Sequence, residues 1–163
     1  MACLFLANSF WGGCSAKEFD MRNGVTVEAD EILIRKNESL MVFSGNIRMR
    51  SEKLKILVRK TLTLHYTDLD GRINPTSMDM IDLVAVNDRG TRISGDRGDY
   101  DFVNSILTVR DNVIVNEKNS VIFVDRAVYD SVTEEINMSG NRSLNNDREK
   151  KVIIIMDGIN SGE

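Results

Sequence analysis

Apolar and polar residues alternate along most of this chain, from Val25 to Ile155. A period of two residues is typical of β-strands that have one buried and one exposed face. The repeated segments show almost no helical periodicity. One apolar face and one mixed face favour an antiparallel sheet. The pattern therefore predicts an all-β domain.

Three strand–turn–strand segments each place an Asp sixteen residues before an Asn, at Asp30 and Asn46, Asp96 and Asn112, and Asp125 and Asn141. Successive Asp residues are 66 and 29 residues apart, so the longer step leaves room for one degenerate unit. A repeated hairpin predicts a β-stack whose function lies in a surface rather than in a catalytic cluster. We expect the Asp and Asn side chains to cap turns or satisfy backbone groups at the hairpin ends.

Alignment of the three units places one apolar face in register along the stack. Its members are Met41, Phe43, Ile47 and Met49 in the first unit, Leu107, Val109, Val113 and Val115 in the second, and Ile136 and Met138 in the third. Such a face can hold acyl chains, since each buried methylene contributes about 0.8 kcal/mol and one ~12-carbon chain on the order of 10 kcal/mol. The alternative is that these side chains only pack against each other.

Breaks in the alternation predict turns and bends. Gly45 and Gly140 lie inside predicted strands, where glycine usually marks a bulge or bend. Asp111 and Arg142 interrupt the apolar face, and Asp111 leaves the corresponding bend of the second unit open. Residues 67–79 form the longest run of turn-forming residues, and we expect a loop there.

The first sixteen residues contain no charged side chain, whereas the rest of the chain is rich in charge. Such a segment is too short for a stable membrane span, which favours a secretory leader cleaved after Ala16. A retained anchor and lipidation of Cys14 are the alternatives. Residues 17–163 are then one domain. Both cysteines lie in the leader, so the exported domain would contain neither a disulfide nor a cysteine-bound metal.

The hairpins resemble the repeats of the LptA/OstA family of lipopolysaccharide-export proteins. That repeat has the form A/G-D-x-x-x-Y-D, a turn, and an apolar strand ending in G-N-V. The matching segments are VEADEILIRKNESLMVFSGNI, GDRGDYDFVNSILTVRDNVIV and VDRAVYDSVTEEINMSGN. The resemblance spans residues 25–141. It departs from the family pattern at Lys60 and His65 in the degenerate unit, at residues 142–144, and in the leader, which has no basic residue.

The resemblance implies an open, twisted β-jelly roll of stacked antiparallel hairpins in the periplasm. It further implies that the apolar face binds the lipid A part of lipopolysaccharide. Such proteins join end to end and bridge inner-membrane LptC-like and outer-membrane LptD-like partners. A membrane-anchored LptC-type component, or a β-structured adaptor without lipid cargo, remains the alternative.

Two strands are expected at the ends of the stack, where their backbone groups are open to a partner chain. The positions are Val25, Val27 and Ile32 at the first end, and Val152, Ile153, Ile154 and Ile155 at the second. The second strand has only Lys150 and Lys151 as nearby charges that discourage unwanted pairing of its edge. Pairing of both strands within the chain is the alternative.

Other chemistry finds little support in the sequence. His65 is the only histidine, which argues against histidine-based catalysis and against multi-histidine metal sites. Asp96, Asp99 and Asp101 suggest Ca²⁺ only weakly, because arginines are close enough to neutralise them. A net charge of −4 without a basic stripe argues against nucleic acid. We therefore expect no enzyme, no cofactor and no metal. A basic stretch around Arg48, Arg50, Lys53 and Lys55 is either a solvated strand face or a contact for lipid phosphates.

Overall fold

The structure is a computed structural model that describes residues 17–21, 24–69, 72–140 and 152–156. Apart from a 3-10 turn at Lys36–Glu38, all regular elements in these ranges are strands, which confirms the all-β prediction. The strands are β1 (Lys17–Met21), β2 (Val25–Ala29), β3 (Glu31–Arg35), β4 (Leu40–Ser44), β5 (Ile47–Arg50), β6 (Leu54–Leu69), β7 (Arg72–Asn87), β8 (Arg92–Asp101), β9 (Ile106–Glu117), β10 (Ser120–Asp130), β11 (Ile136–Ser139) and β12 (Ile153–Met156). No helix in the described ranges has the length and hydropathy needed to span a membrane.

The described strands form one antiparallel sheet in the order β1-β2-β5-β6-β7-β8-β9-β10-β11. Two short strands extend it: β3 pairs with β4, which pairs with β6, and β12 pairs with β10. Most neighbouring strands are also consecutive in the chain, as expected for stacked hairpins. The sheet does not close on itself, and it is an open β-jelly roll as predicted.

The long strands bend in the middle and so belong to two facing half-sheets. Sheet A contains β1, β2, β5 and β12, and sheet B contains β3, β4 and β11. The strands β6 to β10 cross from one to the other, and their pairing shifts register between Val58 and Thr61, Ser94 and Arg97, and Val124 and Arg126. We call the line of these bends the crease.

Backbone conformation explains the crease. Four residues along it have positive φ: Asn46 (46°), Asp82 (59°), Asp111 (64°) and Asn112 (50°). Asn and Asp tolerate this left-handed region better than other residues with a side chain. Gly45 (φ 72°) and Asp111 occupy equivalent positions, so the bend left open in the second unit is present. Gly45 is also required sterically, because a Cβ there would lie 2.5 Å from Oδ2 of Asp30.

The core lies between the half-sheets. Inward-pointing side chains of both form a single hydrophobic cluster. Part of it comes from the degenerate unit, where Leu62, Leu64, Met78 and Met80 are at most 1% exposed. One continuous apolar layer thus runs along the stack between its two ends.

The prediction of a loop at residues 67–79 is wrong. Strand β6 continues to Leu69 and β7 begins at Arg72, so most of this segment is paired. Pro75 is accommodated because the pairing shifts register between His65 and Tyr66, at the point where Pro75 faces β6. Outside the described residues lie the predicted leader at residues 1–16, Asn141, Arg142, Lys150, Lys151 and the carboxyl end of the predicted 17–163 domain.

Candidate lipid-binding interior and open sheet edges

The ten predicted groove residues all lie on the inner face of the bent sheet. Eight of them are buried to 1% exposure or less: Met41, Phe43, Ile47, Met49, Leu107, Val109, Val113 and Val115. The other two, Ile136 and Met138 on β11, are partly buried and pack against the core. The sheet therefore brings all ten into one apolar layer, in which they contact each other.

Sequence reasoning missed the contribution of the degenerate unit. Leu62 and Leu64 alternate with polar residues on β6, and Met78 and Met80 do the same on β7. This alternation is visible in the sequence and is the signal that predicts these positions, although the unit has no Asp and Tyr of the repeat. Five inward methionines, at positions 41, 49, 78, 80 and 138, give the interior flexible side chains that adapt to different shapes.

In the two repeats whose Asp and Asn are both described, these side chains bind each other at the crease. Nδ2 of Asn46 donates to Oδ2 of Asp30 at 2.8 Å, and Nδ2 of Asn112 donates to Oδ2 of Asp96 at 2.7 Å. Contrary to expectation, these pairs lie at the bends rather than at the hairpin ends. The reason is that a hairpin turn stands midway between the two residues, which places them opposite each other on neighbouring strands.

The Tyr-Asp part of the repeat forms the turns of sheet B. Oδ1 of Asp101 accepts from the backbone N–H groups of Val103 (2.8 Å) and Asn104 (3.1 Å). Oδ1 of Asp130 accepts in the same way from Val132 and Thr133. Hydrogen bonds from Asn104 lower the pKa of Asp101, and backbone hydrogen bonds from Thr133 and Val132 lower the pKa of Asp130. These aspartates are turn-forming groups.

The acidic cluster considered for Ca²⁺ is occupied by protein partners. Asp96 accepts from Asn112, Asp99 pairs with Arg110, and Asp101 forms its turn. The residues in the described ranges contain no group of three His, Cys, Asp or Glu that could hold a metal ion.

The mouth of the jelly roll, opposite the crease, is bridged by Glu134. This residue is in the β10–β11 turn of sheet B, and its carboxylate pairs with Lys53 (3.2 Å) and with Arg89. Both cations belong to turns of sheet A. Beneath them the Tyr129 hydroxyl is buried near Asn87 without hydrogen-bond geometry to any described group, and burial raises the pKa of this phenol. No pattern in the sequence predicts this bridge, because the contact depends on how the two half-sheets meet.

At the first end of the stack, the predicted edge residues occupy different environments. Val25 and Val27 on β2 are buried one strand inside the edge, since β1 pairs along β2 on one side and β5 on the other. Ile32 is on β3, whose only partner among the described strands is β4. Ile34 points inward beside Met41 and is nevertheless 50% exposed.

At the second end, Val152 precedes β12, and Ile153, Ile154 and Ile155 belong to it. This strand pairs on one side with residues 120–123 of β10. Ile154 lies opposite the inward Ile122 and is 51% exposed, and Ile155 on the outer face is 54% exposed. Both ends of the stack therefore present inward apolar side chains to solvent.

Comparison with known proteins identifies the fold. Neither a protein-family model nor a curated protein sequence matches the chain. Among solved structures, the chain is similar to LptH of Pseudomonas aeruginosa, described as the LptA-homologous periplasmic component of the conserved lipopolysaccharide transport device. The TM-score is 0.66 at 14% sequence identity, over 83% of this chain and 96% of LptH. The chain has the LptA-type β-jelly-roll fold.

Proposed function

We propose that this protein is a periplasmic carrier of lipopolysaccharide, and that its apolar interior holds the acyl chains of lipid A. The observation that carries the proposal is the continuous inner layer of apolar side chains between two open ends, in a fold shared with LptH. Transfer of an acyl chain from water into this interior is favourable by about 0.8 kcal/mol per buried methylene. Transfer to an identical neighbouring interior costs little, because the two environments are equivalent.

The open ends support the second part of the proposal, a bridge between membranes. Edge strands β3 and β12 offer backbone donors and acceptors to a partner chain, and their exposed apolar side chains add buried area on pairing. The partners are further copies of this chain, an LptC-like protein at the inner membrane and an LptD-like protein at the outer membrane. A β-structured adaptor with a dry interior is the alternative, supported by the close packing of the inner layer.

Photocrosslinking distinguishes the carrier from the adaptor. A benzophenone amino acid replaces Phe43 or Met138, and we expect irradiation in cells to give an adduct with lipopolysaccharide. Val42 and Asn137 are matched controls, because each is the chain neighbour of a test position and points to the outer face. Labelling at neither Phe43 nor Met138, with the protein present in the periplasm, would exclude the carrier and favour the adaptor.

Export by the predicted leader belongs to the same proposal. Mass spectrometry of the soluble fraction should find a chain that begins at or near Lys17. An intact amino terminus in the membrane fraction would instead favour an LptC-type anchored component.

A further inference from the structure

The outer faces of the two half-sheets differ in chemistry. Across the middle of sheet A, hydrogen-bonded neighbours form an outward row of Arg48, Leu57, Val84, Ser94, Ile114, Phe123 and Ile153. The corresponding row of sheet B contains Thr63, Asp79, Asp99, Thr108, Val128 and Asn137. Along these stretches the outer face of sheet A is mainly apolar and that of sheet B mainly polar. At the first end of the stack the rows continue with Glu28 beside Arg48 and with Val42 and Leu33 beside Thr63, so the contrast holds for the middle of the sheets.

A basic row lies beside the apolar row on sheet A. Arg50, Lys55, Val86 and Arg92 are neighbours on four successive strands, and Arg48 lies diagonally next to Lys55. Arg50 is 3.8 Å from the carboxylate of Glu28. Within the described part of the chain, Arg48, Lys55 and Arg92 form no salt bridge, unlike most arginines of sheet B. In a protein with a net charge of −4, this is a local concentration of positive charge, which Glu28 offsets only in part from its position opposite Arg48.

The two rows enclose a concavity of about 470 Å³. Its rim is basic, with Arg48, Arg50, Lys55 and Arg92, and its floor is apolar. The floor is lined by Leu57, Val84 and Val86 and also by Met49 and Ile56, which belong to the core. Val84 is only 6% exposed despite pointing outward, whereas Leu57 beside it is 42% exposed, so part of the apolar floor is open to a ligand. A volume of this size suits a small ligand rather than a folded partner.

We propose that this concavity binds the phosphate head group of a single membrane lipid, with the first part of an acyl chain on the apolar floor. Guanidinium groups bind phosphate oxygens with paired, charge-assisted hydrogen bonds, and the lysine adds a further donor. An apolar floor inside a cationic rim matches an amphiphile better than it matches a free anion or a neutral lipid.

This site opens on the side of the sheet opposite the proposed cargo interior. Leu57 and Ile56 are neighbours on β6 and point to opposite faces, and Ile56 is buried in the core. Ile56 and Met49 contribute to both the concavity and the inner layer, so the two are adjacent across the sheet. A lipid held there would attach the outside of the jelly roll to a lipid molecule without occupying the interior.

Titration with short-chain lipids tests the proposal, with ¹H–¹⁵N spectra of the folded protein as the readout. Dihexanoyl phosphatidic acid is expected to shift the amide signals of Leu57, Val84 and Arg92. Dihexanoylglycerol, which has the same chains without phosphate, and inorganic phosphate should each bind at least about tenfold more weakly, since each provides only one of the two contacts. Tenfold weaker binding is also the minimum expected for the R48Q/R92Q double variant.

The K36Q/K118Q double variant is the matched control, because it removes two exposed positive charges outside the concavity and should keep the original affinity. If inorganic phosphate binds as tightly as dihexanoyl phosphatidic acid, the site binds free anions and the lipid proposal is wrong. If dihexanoylglycerol binds as tightly, the site is only an apolar surface and the proposal is also wrong. Shifts confined to core residues such as Phe43, equal loss in both double variants, or no binding at millimolar lipid would each overturn the proposal. None of these results bears on crosslinking from Phe43, which tests the cargo interior by itself.

Discussion

At the scale of single residues, the bends of this fold depend on short polar side chains in an unusual backbone conformation. Asn46 has a positive φ and at the same time donates to Asp30 on the neighbouring strand. Asn112 and Asp96 repeat the arrangement 66 residues further on. The Asn both permits the turn of the backbone and connects the two bent strands. This double requirement explains why an Asp and an Asn recur with one fixed spacing.

Substitution of Asn46 separates these two roles. We expect Asn46→Gly to lower the free energy of unfolding by about 1 kcal/mol, because it removes the hydrogen bond to Asp30 but keeps the backbone conformation accessible. Asn46→Ala should cost about 1 kcal/mol more, since alanine is unfavourable at positive φ. Urea unfolding of the purified protein measures both values.

A double-mutant cycle gives the control for this prediction. In an Asp30→Ala background, Asn46→Gly should cost less than about 0.5 kcal/mol, because the acceptor is already absent. Asn137→Ala, at an exposed strand position, should change stability by no more than about 0.5 kcal/mol. Additive effects of Asp30→Ala and Asn46→Gly would show that the hydrogen bond makes no contribution.

The sequence correctly predicts the face of the sheet on which a residue lies where the period-two alternation alone determines it. All ten groove positions lie on the inner face, because a strand cannot change the side of its residues without a shift in register. The prediction failed at residues 67–79, where Pro75, Asn74 and three aspartates suggested a loop. Turn-forming residues describe local preference, and the pairing of β6 with β7 overrides it at an irregularity in register.

At the scale of elements, the arrangement of the two half-sheets creates contacts that no single hairpin contains. The β10–β11 turn of sheet B reaches two turns of sheet A through Glu134, whose side chain is 14% exposed. The partners are 81 and 45 residues away in the sequence, at Lys53 and Arg89. Repeat alignment cannot predict such a contact, because it compares hairpins with each other and does not describe how the bent halves close.

Removal of the charge at Glu134 should loosen the mouth. We expect Glu134→Gln to lower the free energy of unfolding by about 1 kcal/mol, since it weakens two partly shielded ion pairs at once. Hydrogen exchange should become several-fold faster in the turns at residues 51–53, 88–91 and 131–135, because these turns would separate more often. Exchange in the middle of β9 should not change.

Glu38→Gln is the matched control, since Glu38 pairs with Arg35 at 3.3 Å within one exposed turn and connects no separate elements. It should alter stability by less than about 0.5 kcal/mol and leave exchange at the mouth unchanged. If Glu134→Gln behaves like this control, Glu134 does not hold the two half-sheets together.

At the scale of the whole molecule, the two ends of the stack are the parts that the sequence located least well. The prediction placed Val25 and Val27 at the first edge, but β1 pairs with β2 and moves the edge of sheet A outward. Alternation shows that a strand has an apolar face, and does not show which strands have a free side. Pairing order has to be known for that, and it depends on the short strands β1 and β12.

The exposed inward residues at the ends lead to a test of the proposed end-to-end contact. Ile154 continues the inner layer at β12 and is 51% exposed, so a partner strand placed beside β12 would cover it.

Aspartate at this position would bring an unpaired charge into that apolar contact, and an inward charge on an edge strand also discourages pairing. We expect Ile154→Asp to weaken self-association at least about tenfold, which corresponds to about 1.4 kcal/mol. Light scattering over a range of concentrations measures the change in mass. The monomer should keep its circular dichroism spectrum, because β12 contributes only four residue pairs to the sheet. Val103→Asp, at an 80% exposed position in the β8–β9 turn, is the control and should associate like the original protein. An unchanged mass for a folded Ile154→Asp variant would show that β12 is not the joining edge.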